Sequence, residues 1–173
     1  SLVHAIDKDQ PFERFSDLLN GGLTSRYPNS LETLDHLETT LGQVVEEQML
    51  SDVPLGCFLS GGVDSSLIAS LMQSRSGKPI RTFAIGFSEA RFNEAPHAAA
   101  VAQHLQTDHS EFILSEQDAL SIIPDLPEIY DEPFADSSQI PTVLLCREAR
   151  KSVTVALTGD GGDEVFGGYN RYV

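Results

Sequence analysis

A run of serines and glycines that interrupts an apolar stretch constrains the fold of this chain most. The run is Ser60-Gly61-Gly62-Val63-Asp64-Ser65-Ser66, and apolar residues stand on both sides of it. The apolar residues 55–59 follow a proline, as in a buried strand, and a helical pattern begins beyond the run. The order of strand, glycine-rich turn and helix predicts an anion site, because the glycine amides and the helix N-terminus face one point.

The acid in this turn distinguishes it from the lysine-containing phosphate loop. The pattern G-x-x-x-x-G-K-[ST] is absent, and Asp64 stands where the helix begins. An N-cap role would by itself explain an aspartate here. A carboxylate beside bound phosphates would repel them unless a cation lay between, so the loop and Asp64 together indicate a Mg²⁺–polyphosphate site. Ser60, Ser65 and Ser66 add hydroxyl donors.

Strand and helix patterns alternate along the rest of the chain. Further strands are predicted over residues 80–87, 109–114 and 153–157, and helices over residues 30–50, 93–105, 115–123 and 138–151. Alternation indicates βαβ crossovers, so we predict an α/β fold: an open parallel sheet with helices on both faces. Ligands of such sheets bind at the carboxyl ends of the strands.

Composition limits the classes of partner. The net charge is −15, which disfavours nucleic acid as a partner because phosphate contacts need Lys and Arg. No apolar run is long enough to span a membrane. The cysteines Cys57 and Cys146 form no disulfide or metal pattern, which is typical of a reducing cytoplasm. Residues 1–28 have weak periodicity and are expected to be a lead-in from an upstream domain, whereas residues 29–173 form the ligand-binding domain.

A second acidic loop follows the last predicted strand. Gly159-Asp160-Gly161-Gly162-Asp163-Glu164 lies at the ligand edge of the sheet, and an EF-hand is excluded by the spacing of its acids. A solvated turn is the alternative for three acids among glycines. Asp64 at the same edge favours a shared Mg²⁺ site, with one carboxylate from Asp64 and one from Asp163.

Three ordered motifs carry a family resemblance. They are residues 51–66, the acidic stretch Asp131-Glu132-Pro133-Phe134, and residues 159–169. The serine–glycine turn resembles the signature of the PP-loop ATP pyrophosphatases, whose fold is adenine nucleotide alpha hydrolase-like. The three motifs together resemble the synthetase domain of glutamine-hydrolysing asparagine synthetase. That resemblance covers about residues 30–172.

The resemblance implies a reaction and a set of site residues. The carboxylate of aspartate attacks the α-phosphorus of ATP, pyrophosphate leaves, and ammonia then displaces AMP to give asparagine. Pyrophosphate is held by Ser60, Gly61, Gly62, Asp64, Ser65 and Ser66; Mg²⁺ is held by Asp64 and Asp163; and adenosine lies near Phe58, Ile85, Thr158 and Gly159. Asp160 and Asp163 are the implied catalytic residues. Asp160 stands where many relatives carry Glu, at the acceptor site, and its shorter side chain reaches less far. Glu94, Asp136 and Ser137 are further candidates.

Two parts of the family pattern are not found in this sequence. Relatives begin with a glutaminase domain whose catalytic residue is an N-terminal Cys, whereas this chain begins with Ser1. Relatives continue into a helical portion with a catalytic Lys, whereas this chain ends at Val173. We therefore expect a fragment that is inactive or nearly so by itself. The ammonia would come from the glutaminase domain, and a homodimer of the full-length protein is an open alternative.

Other functions remain open on the same residues. A β-lactam synthetase or an amidotransferase of surface-polysaccharide biosynthesis would use the same scaffold with another acceptor. A nucleotide-binding module without catalysis is the alternative from a different class. The intact acidic loop over residues 160–164 argues against that module, because binding ATP alone does not need both acids.

Overall fold

The computed structural model describes residues 30–88, 93–133, 135–166 and 168–169. The chain divides into two compact units, residues 1–40 and 41–173. In the first unit the described residues are helical, and Thr39 Oγ1 donates a hydrogen bond to the Asp35 carbonyl at 2.8 Å. All four described strands lie in the second unit.

Strands and helices alternate as the sequence predicts. The helices are α1 (Ser30–Gln48), α2 (Val63–Arg75), α3 (Ala95–Leu105), α4 (Glu116–Ile122), α5 (Leu126–Ile129), α6 (Gln139–Ala149) and α7 (Gly162–Phe166), and a 3₁₀ turn (Ile123–Asp125) joins α4 to α5. The strands are β1 (Leu55–Phe58), β2 (Arg81–Phe87), β3 (Asp108–Leu114) and β4 (Val155–Leu157).

The strands form one parallel sheet in the order β3-β2-β1-β4. The chain moves outward from β1 to β2 and β3, and then returns past β1 to β4. Because such crossovers are right-handed, this reversal puts α6 on the face opposite to α2 and α3. Because β1 and β4 are neighbours, the loops that follow them leave the sheet side by side at its carboxyl edge, where open α/β sheets bind ligands.

Each face of the sheet has its own apolar cluster. The first cluster joins the sheet to α2, α3 and the part of α1 that belongs to the second unit, and it contains Val45, Cys57, Leu59, Ala69, Leu71, Met72, Ile80, Ala84, Ala98 and Ala102. The second joins the sheet to α6 and contains Phe83, Ala149 and Val153, with Phe58, Phe112 and Leu145 packed against them. The rings of Phe83 and Phe112 stack with centroids 6.3 Å apart. The sheet is thus covered on both faces, which confirms the predicted fold class.

The caps agree in part with the sequence. Ser115 and Asp118 form a capping box at the start of α4, with the Asp118 N–H donating to Ser115 Oγ at 3.2 Å. Asn93 accepts from the Ala95 N–H at 3.1 Å, although the residue at the N-cap of α3 is Glu94. Asn29 and Glu32 at the start of α1 match a capping-box pattern in the sequence, but Asn29 lies outside the described residues, as do the loop residues 89–92.

Two local predictions were wrong. Asp64 is not the N-cap of α2, because that position belongs to Gly62 and Asp64 lies in the first helical turn. Asp163 does not lie in an open loop, because residues 162–166 form α7. The three glycines between Thr158 and Asp163 hid this short helix, since glycine is typical of turns and weakens a helix. Helix α5 was also missed, because its four residues include Pro127.

Candidate nucleotide-binding site

Two serine side chains close the loop after β1. Ser60 Oγ lies 2.9 Å from Ser65 Oγ, and the Ser60 N–H donates to Ser65 Oγ at 3.2 Å. The Gly62 N–H donates to Ser60 Oγ at 3.2 Å. Gly62 makes no side-chain cap, so the amides of the first turn of α2 and the positive end of its dipole face the loop. Such an arrangement binds anions.

The same loop packs against the first turn of α3. Gly61 has φ +83°, a left-handed conformation that glycine adopts most readily. A Cβ atom at Gly61 would lie 2.6 Å from the Ala98 nitrogen and 2.7 Å from the His97 carbonyl carbon. Helix α3 therefore supports the loop from behind and fixes its position against the sheet.

The loop after β4 reaches the start of α2. Thr158 Oγ1 accepts from the Asp160 N–H at 3.1 Å, and the Gly162 N–H donates to the Gly159 carbonyl at 3.2 Å. A Cβ at Gly159 would lie 2.7 Å from the Ser65 nitrogen. The two motifs, about 100 residues apart in sequence, are thus in direct contact at the carboxyl edge of the sheet.

The Asp64 carboxylate of the first motif contacts the second motif at this edge. The carboxylate of Asp64 lies against the α-carbon of Gly162, and Asp163 is the next residue along the chain. Asp64 and Asp163 are half-buried, and Asp160 is exposed. Among the described residues, no group of three or more His, Cys, Asp or Glu side chains could hold a metal ion. Two carboxylates suit Mg²⁺, which usually takes one or two protein carboxylates and completes its shell with phosphates and water.

Among the six candidate pyrophosphate residues, the side chain of Ser66 lies apart from the other five. Ser60, Gly61, Gly62, Asp64 and Ser65 lie together in the loop and the first turn of α2. The hydroxyl of Ser66 is buried without a hydrogen-bond partner in the described part of the chain. Ser66 also lines an open cavity of about 500 Å³ between α2 and α3. Its N–H donates within the helix to the Gly62 carbonyl at 3.1 Å.

The four candidate adenosine residues lie at the carboxyl ends of neighbouring strands. Phe58 pairs with Phe83 across the β1–β2 ladder, and Ile85 is two residues farther along β2, so Phe58 and Ile85 share the face that α6 covers. Both are half-buried. Thr158 and Gly159 follow β4, the strand on the other side of β1. The four residues therefore surround the end of β1.

The remaining candidates are exposed. Asp160 follows Gly159 in the loop, and Glu94 precedes α3. Asp136 accepts from the Ser138 N–H at 2.8 Å, and this bond to the backbone amide, with a smaller contribution from the Ser138 side chain, lowers the pKa of Asp136. Ser137 lies beside it, before α6. Phe134, in the same acidic stretch, lies outside the described residues.

Sequence reasoning missed the glycines that touch the carboxylates. Gly162 meets Asp64 and Gly168 meets Asp163, each through a side chain that would collide with a Cβ. The second half of the acidic motif, Gly167-Gly168, was the available signal, because paired glycines often mark a close approach of the backbone. Their partners became apparent only when the loops were placed in three dimensions.

Sequence comparison decides the family. The Asparagine synthase family profile matches residues 36–173. The chain belongs to that family. It is 45% identical over 134 residues to the putative asparagine synthetase (glutamine-hydrolyzing) 2 of Methanocaldococcus jannaschii, covering 77% of this chain and 26% of that protein. It is 41% identical over 128 residues to asparagine synthetase (glutamine-hydrolyzing) 1 of Bacillus subtilis strain 168, covering 74% and 20%. The chain thus spans about a quarter of these asparagine synthetase relatives.

Solved structures with the same fold are more distant in sequence. An NH3-dependent NAD synthetase from Campylobacter jejuni superposes with a TM-score of 0.54 at 15% identity, covering 79% of this chain and 60% of that one. An NMN synthetase from Francisella tularensis superposes with a TM-score of 0.53 at 14% identity, covering 80% and 59%. These similarities support the parallel-sheet fold predicted from the sequence. Among the described residues, no helix has the length and apolar character needed to cross a membrane.

Proposed function

We propose that this chain is the ATP-binding part of an amide ligase that adenylates aspartate for conversion to asparagine. The observation that carries the proposal is the contact between the two motifs, in which Gly159 meets the first turn of α2 and Gly162 meets Asp64. This contact puts an anion-binding loop and three acids at one edge of the sheet. Membership of the asparagine synthase family supports the choice of reaction.

The loop residues would bind and orient the nucleotide. The free amides of the first turn of α2 and the hydroxyls of Ser60 and Ser65 would hold the pyrophosphate of ATP. Phe58, Ile85, Thr158 and Gly159 would contact adenosine. No protein nucleophile is needed, because the carboxylate of aspartate itself attacks the α-phosphorus, so the residues act by positioning and by neutralising charge.

Asp64 and Asp163 would hold Mg²⁺ together with phosphate oxygens. When bound, Mg²⁺ would neutralise the negative charge that develops on the leaving pyrophosphate. The two aspartates provide hard oxygen ligands, and their number fits the small share of protein ligands that Mg²⁺ takes at phosphate sites. The amides of the loop after β1 would bind the phosphates as well.

Asp160 would line the acceptor site. Its exposed carboxylate follows Gly159 directly and lies at the edge where the α-phosphorus would be attacked. A carboxylate there would bind the ammonium group of aspartate or receive a proton from ammonia. The same position could serve a β-lactam synthetase or a surface-polysaccharide amidotransferase, so the acceptor has to be tested directly.

The whole-protein reaction involves partners beyond this chain. We propose that ammonia reaches the adenylate from a glutaminase domain, as the relatives' name glutamine-hydrolyzing suggests. The described cysteines, Cys57 and Cys146, are free thiols, which supports a cytoplasmic location. Burial raises the pKa of the Cys57 thiol to about 12, so this cysteine is a core residue and not a nucleophile.

Exchange of radiolabelled pyrophosphate into ATP tests the proposal. The chain is incubated with ATP, Mg²⁺ and single carboxylates: aspartate, glutamate, β-alanine derivatives and sugar acids. We expect slow exchange that depends on aspartate and is lost in Asp160→Asn but kept in Asp131→Asn. Exchange with another carboxylate would favour one of the alternative ligases. Tight binding of Mg²⁺–ATP by the full-length protein without exchange for any carboxylate would identify a nucleotide-binding module.

A further inference from the structure

Each candidate metal ligand lies against the α-carbon of a glycine. A Cβ at Gly162 would be 2.5 Å from Asp64 Oδ2 and 2.6 Å from its carboxyl carbon. A Cβ at Gly168 would collide with Asp163 Oδ1 and lie 3.0 Å from its carboxyl carbon. Ordinary contacts of a Cβ are 3.4–4 Å, so neither carboxylate could keep its place beside any residue other than glycine.

We propose that Gly162 and Gly168 are positioning residues that seat the carboxylates of Asp64 and Asp163 in the orientation in which both can bind one cation. The inference rests on the proposed Mg²⁺–ATP site and adds the residues that shape it. Gly162 belongs to the same motif as Asp163 but touches Asp64 of the other motif. The seat of Asp64 therefore forms only when the two loops meet.

The atoms involved separate this role from a role in folding. At Gly162 the colliding atoms belong to the end of the Asp64 side chain, which can rotate away without moving the backbone. The φ angle of Gly162 is not positive, so an alanine there fits the backbone, and alanine favours a helix more than glycine does. Gly159 differs, because its neighbours are backbone atoms of Ser65 and Asp64. Alanine at 162 should thus displace a ligand and leave the fold intact.

A displaced carboxylate would bind Mg²⁺ poorly. Restoring an ordinary contact requires Asp64 Oδ2 to retreat by roughly 1 Å, because the repulsive wall between atoms is steep. Mg²⁺ demands near-ideal octahedral geometry and short ligand distances, so it tolerates such a shift badly. The amides of the loop after β1 do not depend on Gly162 or Gly168, so their contacts with the nucleotide should remain.

The first experiment measures how much Mg²⁺ is needed for ATP binding. Calorimetry at fixed ATP and increasing Mg²⁺ is performed on the 173-residue chain and on Gly162→Ala and Gly168→Ala. We expect the half-saturating Mg²⁺ concentration to rise about tenfold, with metal-free adenosine binding unchanged. Gly77→Ala is the matched control, because no atom lies within 4 Å of a Cβ at Gly77. Gly161→Ala, which strains a φ of +93° without a collision, reports the effect of backbone strain alone.

A double-mutant cycle identifies the carboxylate through which each glycine acts. If Gly162 acts through Asp64, the effects of Gly162→Ala and Asp64→Asn on the Mg²⁺ requirement should not add, whereas those of Gly162→Ala and Asp163→Asn should add more nearly. For Gly168→Ala, the effect should not add to that of Asp163→Asn and should add more nearly to that of Asp64→Asn. A merely structural role would give equal losses for both pairings and lower the unfolding temperature of the single variants.

A structural readout distinguishes failure of this inference from failure of the proposed function. Crystals of Gly162→Ala should show the Asp64 carboxylate in a different rotamer and α2 unmoved. An unchanged Asp64 rotamer, or a Mg²⁺ requirement equal to that of Gly77→Ala, would overturn the seating role. If the rotamer changes as expected but the parent chain binds ATP without any dependence on Mg²⁺, the seat stands as a structural feature and the proposed metal site is wrong.

Discussion

At the scale of single residues, Asp64 and Asp163 should contribute more to Mg²⁺ binding than Asp131, an acid of the exposed loop before α6. Asp64→Asn or Asp163→Asn should raise the Mg²⁺ concentration needed for ATP binding by at least tenfold, because one of two carboxylate ligands is lost. Asp131→Asn removes the same charge from an exposed loop and serves as the matched control. Titration of Mg²⁺ into the chain with ATP measures the difference. Similar losses in all three variants would mean that net charge, not ligation, governs the site.

A half-buried histidine outside the site predicts how stability depends on pH. His109 Nδ1 lies 2.9 Å from Thr82 Oγ1, and its Nε2 is buried without a partner in the described residues. Burial lowers the pKa of His109 from 6.5, against a smaller opposing effect of Glu111 and the bond to Thr82. As the pH drops below 6.5, His109 therefore takes up a proton more readily in the unfolded chain than in the folded chain. The free energy of unfolding should then fall.

Urea unfolding between pH 7.5 and pH 5 tests this direction. The free energy of unfolding of the parent chain should fall more steeply toward acid than that of His109→Gln, which cannot take up the proton. His104→Gln, at an exposed position in the last turn of α3, is the control for the loss of any histidine. Parallel pH profiles for the parent and His109→Gln would show that His109 titrates normally in the fold.

At the scale of elements, helix α3 contacts both the apolar core and the loop after β1, and it does so through small residues. Ala98 and Ala102 are buried against the sheet, and the first turn of α3 contacts Gly61. A larger side chain at Ala102 has no space and would push the helix away from the sheet. The packing of α3 therefore bears on both stability and nucleotide binding.

Ala102→Leu tests that link. Overpacking of a filled core typically costs about 1–3 kcal/mol, and the displacement of α3 should also weaken ATP binding through the phosphate loop. Ala100→Leu places the same side chain at an exposed position of the same helix and should change neither property by much. Urea unfolding and ATP calorimetry measure the two effects. A loss of stability with unchanged ATP affinity would show that the loop does not depend on α3.

At the scale of the whole molecule, the positive charges of the described residues lie away from the proposed site. The described cations, Arg75, Lys78, Arg81, Arg147, Arg150 and Lys151, all lie where α2 or α6 ends or where β2 or β4 begins, which is the amino edge of the sheet. The carboxyl edge carries the acids of both motifs. Within the described part of the chain, an ATP polyphosphate would therefore meet carboxylates without a neighbouring lysine or arginine.

This distribution predicts a strict dependence of ATP binding on a divalent cation. Adding EDTA should lower the affinity for ATP at least tenfold, because no lysine or arginine of the described residues lies at this edge to offset the repulsion between the phosphates and Asp64 and Asp163, and the net charge of −15 adds long-range repulsion. Adenosine has no phosphates, and its affinity should not change. Equilibrium dialysis with each ligand, with and without EDTA, makes the comparison. Equal effects of EDTA on ATP and adenosine would point to a metal that supports the fold.

Local patterns in the sequence were sufficient for the fold class and for the loop after β1. The alternation of periodicities identified all four strands and the main helices, because each depends on neighbours in the chain. Gly61 and Gly62, between Ser60 and the start of α2, likewise indicated the anion-binding loop, because that signal also lies in neighbouring residues of the chain. Site residues transferred by family resemblance, such as Phe58 and Ile85, stay predictions.

The tertiary structure alone decided how the motifs meet. The strand order β3-β2-β1-β4 brings Gly159 and Gly162 against α2, and no local pattern specifies which strands become neighbours. The helical state of residues 162–166 contradicts their glycine-rich composition and was missed by sequence reasoning. The orientation of the Asp64 side chain likewise depends on its contact with Gly162, about 100 residues away in the sequence. Tertiary packing determines such a contact, and local propensity does not.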